Sequence, residues 1–146
     1  MTKDFEIVRL TAGDADFARR MAIEVFALEA VSREHLTAML AMPHVIVLAA
    51  RRGDDPLGGL VAYEFPGLAD EKLAYLYDIE VLPSERRRGI GISLVHTLID
   101  ICRNDRVAEI WVGSDTSNVA ACALWEATGA ERGSEQYVEF SYELEE

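Results

Sequence analysis

Two stretches of this 146-residue chain hold residue types whose spacing suits chemistry. Asp78 and Glu80, in LAYLYDIEV, stand two apart, so on a regular strand they share one face. A carboxylate there can hold an ammonium group and take its proton, and Asp78 is the expected base. A structural carboxylate or a purely electrostatic anchor is the alternative for Asp78, and a solvent-facing role is the alternative for Glu80. A β-bulge at this point would change the shared parity. Just downstream, Pro83 is followed by SERRRGIG, residues 84–91, which puts Arg86, Arg87 and Arg88 directly before Gly89, Ile90 and Gly91. Such a loop suits an anion, and phosphate or pyrophosphate is the expected one.

That expectation rests on the residues just after the loop. Ile92, Val95, Ile99 and Cys102 repeat at helical spacing, with Leu94, Leu98 and Ile101 widening the stripe, so the glycines stand at a helix N-terminus. Unpaired N–H groups and the helix dipole favour an anion there, glycine lets its oxygens approach, and arginine adds charge-assisted contacts. A Walker loop would need Gly-Lys-Ser/Thr, which is missing. A dinucleotide fingerprint would start almost directly after its strand and show a third glycine where Leu94 stands. A plain glycine helix start with surface arginines is the bland alternative.

The elements that must position these residues alternate between strand and helix. FEIVRL (5–10) reads as a strand. GDADFARRMAIEVFAL reads as a helix with Asp at its N-cap and Phe17, Met21, Val25 and Leu28 on one face. Ser32 caps a second helix that stops at Pro43. HVIVLAARR, the turn GDDP and LGGLVAYEF form a hairpin, and KLAYLYDIEVL is a strand closed by Pro83. EIWVGSD (109–115) reads as a further strand, NVAACALWEATGA (118–130) as a helix, and YVEFSYELEE as a last strand.

The pattern V-x-P-x-x-R-x-x-G-x-G from Val81 to Gly91 resembles the acetyl-CoA-binding segment of the GNAT acyltransferase superfamily. The later Asn118, with Ala121 and Leu124 behind it, matches the Asn-x-x-Ala-x-x-Leu pattern of the next helix of that family. HLTAML, HVIVLAA, GGLVAYEFP, YLYDIEV and the RRRGIG loop together look like the aminoglycoside 3-N-acetyltransferases of this type. The resemblance implies an α/β fold, with a mixed, mostly antiparallel central sheet flanked by helices and splayed between strands four and five. It implies acetyl-CoA as cosubstrate, no metal, and transfer of the acetyl group to the 3-amino group of an aminoglycoside antibiotic, conferring resistance. Acetyltransferases of other amines, such as polyamines, small metabolites or proteins, and a non-catalytic acyl-CoA-binding module are the competing readings.

The resemblance also assigns roles. Arg86 opens the motif, the N–H groups of 87–91 cradle the pyrophosphate, and the free main chain of Ile79 and Val81 binds the pantetheine arm, with a nearby N–H meeting the oxyanion. Glu80 lies along that arm, where the family does not demand an acid. Many relatives carry tyrosine where this chain has Trp125, and an indole N–H is not a useful acid. Trp125 is therefore expected to shape the CoA wall, while Tyr137, Tyr142 or water delivers the proton. Asp115, Glu139 and Glu143 are candidate substrate contacts.

Composition agrees with this reading without supplying it. With 26 acidic against 14 basic residues, the net charge is −12, a field that gathers a cationic small-molecule substrate, though solubility alone would explain it. No basic stripe with interleaved aromatics speaks for nucleic acid, and no apolar run is long enough for a membrane span. The length fits one domain, 1–146, and the N-terminus shows no signal-peptide pattern, so a cytoplasmic protein is expected, with a homodimer left open. Cys102 and Cys122 read as buried free thiols, and His35, His44 and His96 lack metal-ligand spacing.

Overall fold

The strand Val45–Arg52 is apolar along its first six residues because both of its faces are covered. In the computed structural model, which describes residues 4–145, it is β2 of a five-stranded sheet. The strands run in the order β1 (Glu6–Arg9), β2, β3 (Asp55–Pro66), β4 (Lys72–Val81) and β5 (Glu109–Trp111). Pairing is antiparallel from β1 to β4 and parallel between β4 and β5. Gly53, at φ 58, turns the β2–β3 hairpin, while Asp55 and Pro56 already belong to β3.

One face of the sheet packs on α1 (Ala15–Glu24) and α2 (Arg33–Leu40), with Met21, Val45, Val47 and Ala49 at the centre of the contact. Helix α1 ends at Glu24, where Ala27 takes φ 57, so Val25 and Leu28 fall outside it and Leu28 is exposed. Asp14 stands at the N-cap of α1 as expected, but its carboxylate accepts from the N–H of Thr11, 2.8 Å away, and so closes the short turn before the helix rather than capping α1 itself. Ser32 does cap α2, accepting from the His35 N–H at 2.9 Å. Gly59 is where α1 comes closest to the sheet, since a Cβ there would stand 2.6 Å from Met21 Sδ.

The other face packs on α3 (Ile90–Asn104), which buries Ile90, Leu94, Val95, Leu98 and Cys102. The expected stripe is thus rotated toward Leu94 and Leu98, and Ile92 is exposed. Helix α4 (Val119–Ala127) lies beside α3, with Leu124 and Trp125 against the core. No helix among the described residues is long and apolar enough to cross a membrane.

Two sequence expectations fail at the C-terminal side. β5 stops at Trp111 and does not run to Asp115. Residues 137–145 form no strand, and Tyr137, Val138, Phe140, Tyr142 and Leu144 are all more than three-quarters exposed. Alternation gives a segment one apolar face, but it becomes a strand only when it pairs with an edge, and residues 137–145 pair with none of the described strands.

Candidate active site

The site grows from the parity of β4. Ala74 and Leu76 face α3, and so do Ile79 and Val81, a change from even to odd positions that requires one extra residue. The strand supplies it as a bulge: Ala62 pairs with Leu76 and Val61 with Asp78, leaving Tyr77 between. Because the irregularity falls before Asp78, the alternation from there onward survives. Asp78 pairs with Val61 and Glu80 with Gly59, so both carboxylates project on the face covered by α1 and α2.

β5 pairs with β4 only at 73–75, so from Leu76 to Val81 the edge of β4 on that side has no ladder partner among the described residues. Open main chain therefore runs beside the acid pair. Partial desolvation of Glu80, whose side chain remains exposed, and then the neighbouring Asp78 charge raise its pKa from the ordinary value, while Arg86 pulls the other way. A carboxyl held up in this manner becomes a better proton acceptor near neutral pH. Tyr63 and Tyr77 meet edge to face on the same side, with ring centroids 6.0 Å apart. A cavity of about 240 Å³ opens nearby, lined by His35, Met39, Met42, His44 and Tyr63.

The loop after β4 reaches α3 through two left-handed residues, Arg87 at φ 66 and Gly89 at φ 82, and Gly89 is the N-cap of the helix. Turns of this kind bring successive N–H groups into an anion-binding concavity. Arg86, Arg87, Arg88 and Gly89 are exposed, whereas Ile90 is buried and pins the loop to the core. The arginines are not equivalent. Arg88 Nη1 lies 3.7 Å from both Asp4 and Glu85, in a cluster where Arg52 also grips Glu85 at 2.7 Å and holds that carboxyl below its ordinary range. Arg88 therefore braces the turn, and Arg86 is the one whose charge reaches Glu80. A Cβ on Gly91 would sit 3.5 Å from Leu124, which sets the first turn of α3 against α4.

The remaining candidates have local partners. Asn118 caps α4 by accepting from Ala121 N–H at 3.1 Å. Trp125 Nε1 donates to Ser114 Oγ at 2.9 Å, so the indole is committed to fixing the loop after β5. Asp115 accepts from both the N–H and hydroxyl of Ser117, which lowers its pKa. Glu139, Glu143, Tyr137 and Tyr142 lie on the exposed C-terminal segment. Cys102 is buried, its thiol pushed up to about 11 by burial, but Cys122 is half-buried, 3.8 Å from the Asp115 carbonyl. No group of three or more His, Cys, Asp or Glu among the described residues could hold a metal ion. Tyr63 and Tyr77, which meet beside the acid pair, were missed from the sequence. Alternation of Tyr75 and Tyr77 with apolar residues in β4 was the available signal.

An open β4 edge beside a glycine loop at a helix N-terminus can take an extended acyl carrier and its phosphates. The profile of the Acetyltransferase (GNAT) family matches residues 16–130. The chain belongs to the GNAT acetyltransferase family. The fold of an aminoglycoside acetyltransferase from an uncultured soil metagenomic sample, solved in complex with sisomicin, superposes with a TM-score of 0.88 at 25% identity, covering 97% of each chain. The aminoglycoside N-acetyltransferase AAC(6')-Iy in complex with CoA shares the fold at a TM-score of 0.77 and 17% identity, covering 99% of this chain and 98% of that one. The [ribosomal protein bS18]-alanine N-acetyltransferase of Escherichia coli (strain K12) is 41% identical over 56 residues, 38% of each chain. This GNAT chain thus spans little more than a third of the curated relative it matches. Acetyl-CoA is the acyl donor of the family, and the residues here fit it: exposed backbone at Arg87 and Gly89 for phosphate, and an unpaired strand edge for the arm.

Proposed function

We propose that this GNAT enzyme transfers the acetyl group of acetyl-CoA to an amino group of an aminoglycoside, at the 3-amino position, in the cytoplasm, and thereby confers resistance. The observation that carries the reading is the Asp78–Glu80 pair on the α1/α2 face of an open-edged β4. Its support is the 0.88 TM-score over 97% of the chain to an aminoglycoside acetyltransferase seen with sisomicin.

In this reading the carboxylates hold the ammonium and Asp78 takes its proton, giving the neutral amine that can attack a thioester carbonyl. A main-chain N–H within 79–81 meets the oxyanion that develops. As the tetrahedral intermediate collapses, the carbon–sulfur bond breaks and the thiolate leaves. With Trp125 committed to Ser114, water relays to that thiolate the second proton, which the nitrogen sheds as the tetrahedral adduct becomes the amide. The raised pKa of Glu80 favours a variant in which Glu80 accepts the proton and Asp78 anchors the substrate. The 41% identity to a ribosomal-protein acetyltransferase supports a second reading, an N-terminal alanine as acceptor. Thiol release with acetyl-CoA and a panel of aminoglycosides, polyamines and alanine-terminated peptides, with the product mapped by mass spectrometry, separates the readings and fixes the acetylated position.

A further inference from the structure

Glu85 is a buried carboxylate at the foot of the glycine loop. It ends the short turn Pro83–Glu85, directly before Arg86. Its charge is answered from far up the chain, because Arg52 at the end of β2 gives Nη1 to Oε1 at 2.7 Å and Nη2 to Oε2 at 3.3 Å. Two such bonds fix direction as well as distance. Arg52 is gripped in turn by Asp4, whose carboxylate accepts from Nη2 at 2.9 Å and whose carbonyl accepts from Nε at 3.3 Å. Arg88 Nη1 completes the group, 3.7 Å from each carboxylate. Two arginines thus face two carboxylates, and their charges balance.

The turn beyond Glu85 has little to hold it. Arg87, at φ 66, lies in a region that residues with a Cβ rarely adopt, and such a conformation persists only where its surroundings impose it. Residues 86–89 are exposed, so the restraint comes from the two ends. Ile90 is buried at the far end. At the near end the Leu82 N–H donates to the Leu57 carbonyl at 2.9 Å, and Arg52 holds Glu85.

We infer that Arg52 and Glu85 are positioning residues for the acyl donor: their paired bonds hold residues 86–89 in the anion-binding turn while touching neither phosphate nor the reacting atoms. The inference rests on the reading that this loop takes the CoA pyrophosphate. Simple electrostatics predicts the opposite effect of removing Glu85. A negative charge one residue before a phosphate loop repels the ligand, so its loss should tighten binding unless its hold on the turn matters more.

The test is calorimetry with CoA on wild type, Glu85→Leu, Glu85→Gln, Arg52→Met and the double variant Arg52→Met with Glu85→Leu. Leucine fills the buried place without an acceptor, whereas glutamine keeps one for Arg52. The CoA Kd should rise at least about tenfold in Glu85→Leu and in Arg52→Met, less in Glu85→Gln, and no further in the double variant, since both residues act through one contact. In acetyl transfer, the KM for acetyl-CoA should rise with it while kcat stays within about twofold. Acetylpantetheine, which has no pyrophosphate, should serve wild type and variants equally. Without any ligand, backbone N–H order parameters over 86–89 should fall from about 0.85 in wild type to below about 0.6 in Glu85→Leu. Should Glu85→Leu fail to fold, Arg52→Met carries the same expectations. Unchanged or tighter CoA binding, an equal loss with acetylpantetheine, or a turn as rigid as in wild type would overturn the inference. A wild type that binds no CoA would instead defeat the reading of the loop, and the order parameters would still decide whether Glu85 holds the turn.

Discussion

Asp78 and Glu80 project from the same face of β4, and the Asp78 charge adds to partial desolvation in raising the Glu80 pKa. Two carboxylates coupled in this way divide the work of holding a cation and taking its proton, and substitution separates the roles. With Asp78 as base, Asp78→Asn should lower kcat by roughly two to four orders of magnitude and erase the acidic limb of the pH–rate profile. Glu80→Gln should then mainly raise KM, as lost uniform binding does. The reverse pattern in steady-state kinetics of the two variants would pass the base to Glu80.

The glycine loop gives a prediction that needs no acceptor. Gly91→Asp places a carboxylate in the first turn of α3, where the N–H groups and helix dipole favour an incoming phosphate. A Cβ has room there, 3.5 Å from Leu124, so the fold should persist. Calorimetry should find CoA bound at least about tenfold more weakly, a loss of roughly 1.4 kcal/mol. Unchanged affinity in the folded variant would remove the loop from the site.

Glu64 makes stability depend on pH. It is 8% exposed, its Oε2 has no hydrogen-bond partner among the described residues, and burial, then Asp105, raises its pKa to about 7. Because the folded value lies above the unfolded one, this group's contribution is fully present below about pH 4.5 and is lost as the pH rises through 7. Glu64→Gln should flatten that decline in Tm between pH 5 and 8. An identical slope in wild type and variant, measured by thermal denaturation, would show that Glu64 titrates normally.

Charge steering is read in salt. If the −12 net charge gathers a polycation, the acceptor KM should rise several-fold between low and high ionic strength, since exposed charges are screened beyond about 8 to 10 Å at physiological salt. A flat KM would leave the acidity with its solubility meaning alone.

The glycine loop, the helix behind it and the Asp78–Glu80 parity were legible because each depends on local sequence: a glycine at positive φ, a 3.6-residue stripe, a two-residue alternation. The bulge at Tyr77 was legible only in part. The switch of core positions from Leu76 to Ile79 encodes it, yet that switch shows only when both sheet faces are known. The side-chain partners of Arg88 were not legible, because Asp4 and Arg52, distant in sequence, meet it and Glu85 only in space. The 137–145 segment has strand chemistry without a strand, since alternation specifies a face but not the edge that completes it.

The activity proposed for this GNAT chain is acetylation of an aminoglycoside. Purified protein with acetyl-CoA and a gentamicin-like or kanamycin-like drug should release free thiol in proportion to drug, with a product heavier by one acetyl group at the 3-amino position. Turnover of polyamines or of alanine-terminated peptides, with no thiol released for any aminoglycoside, would contradict it.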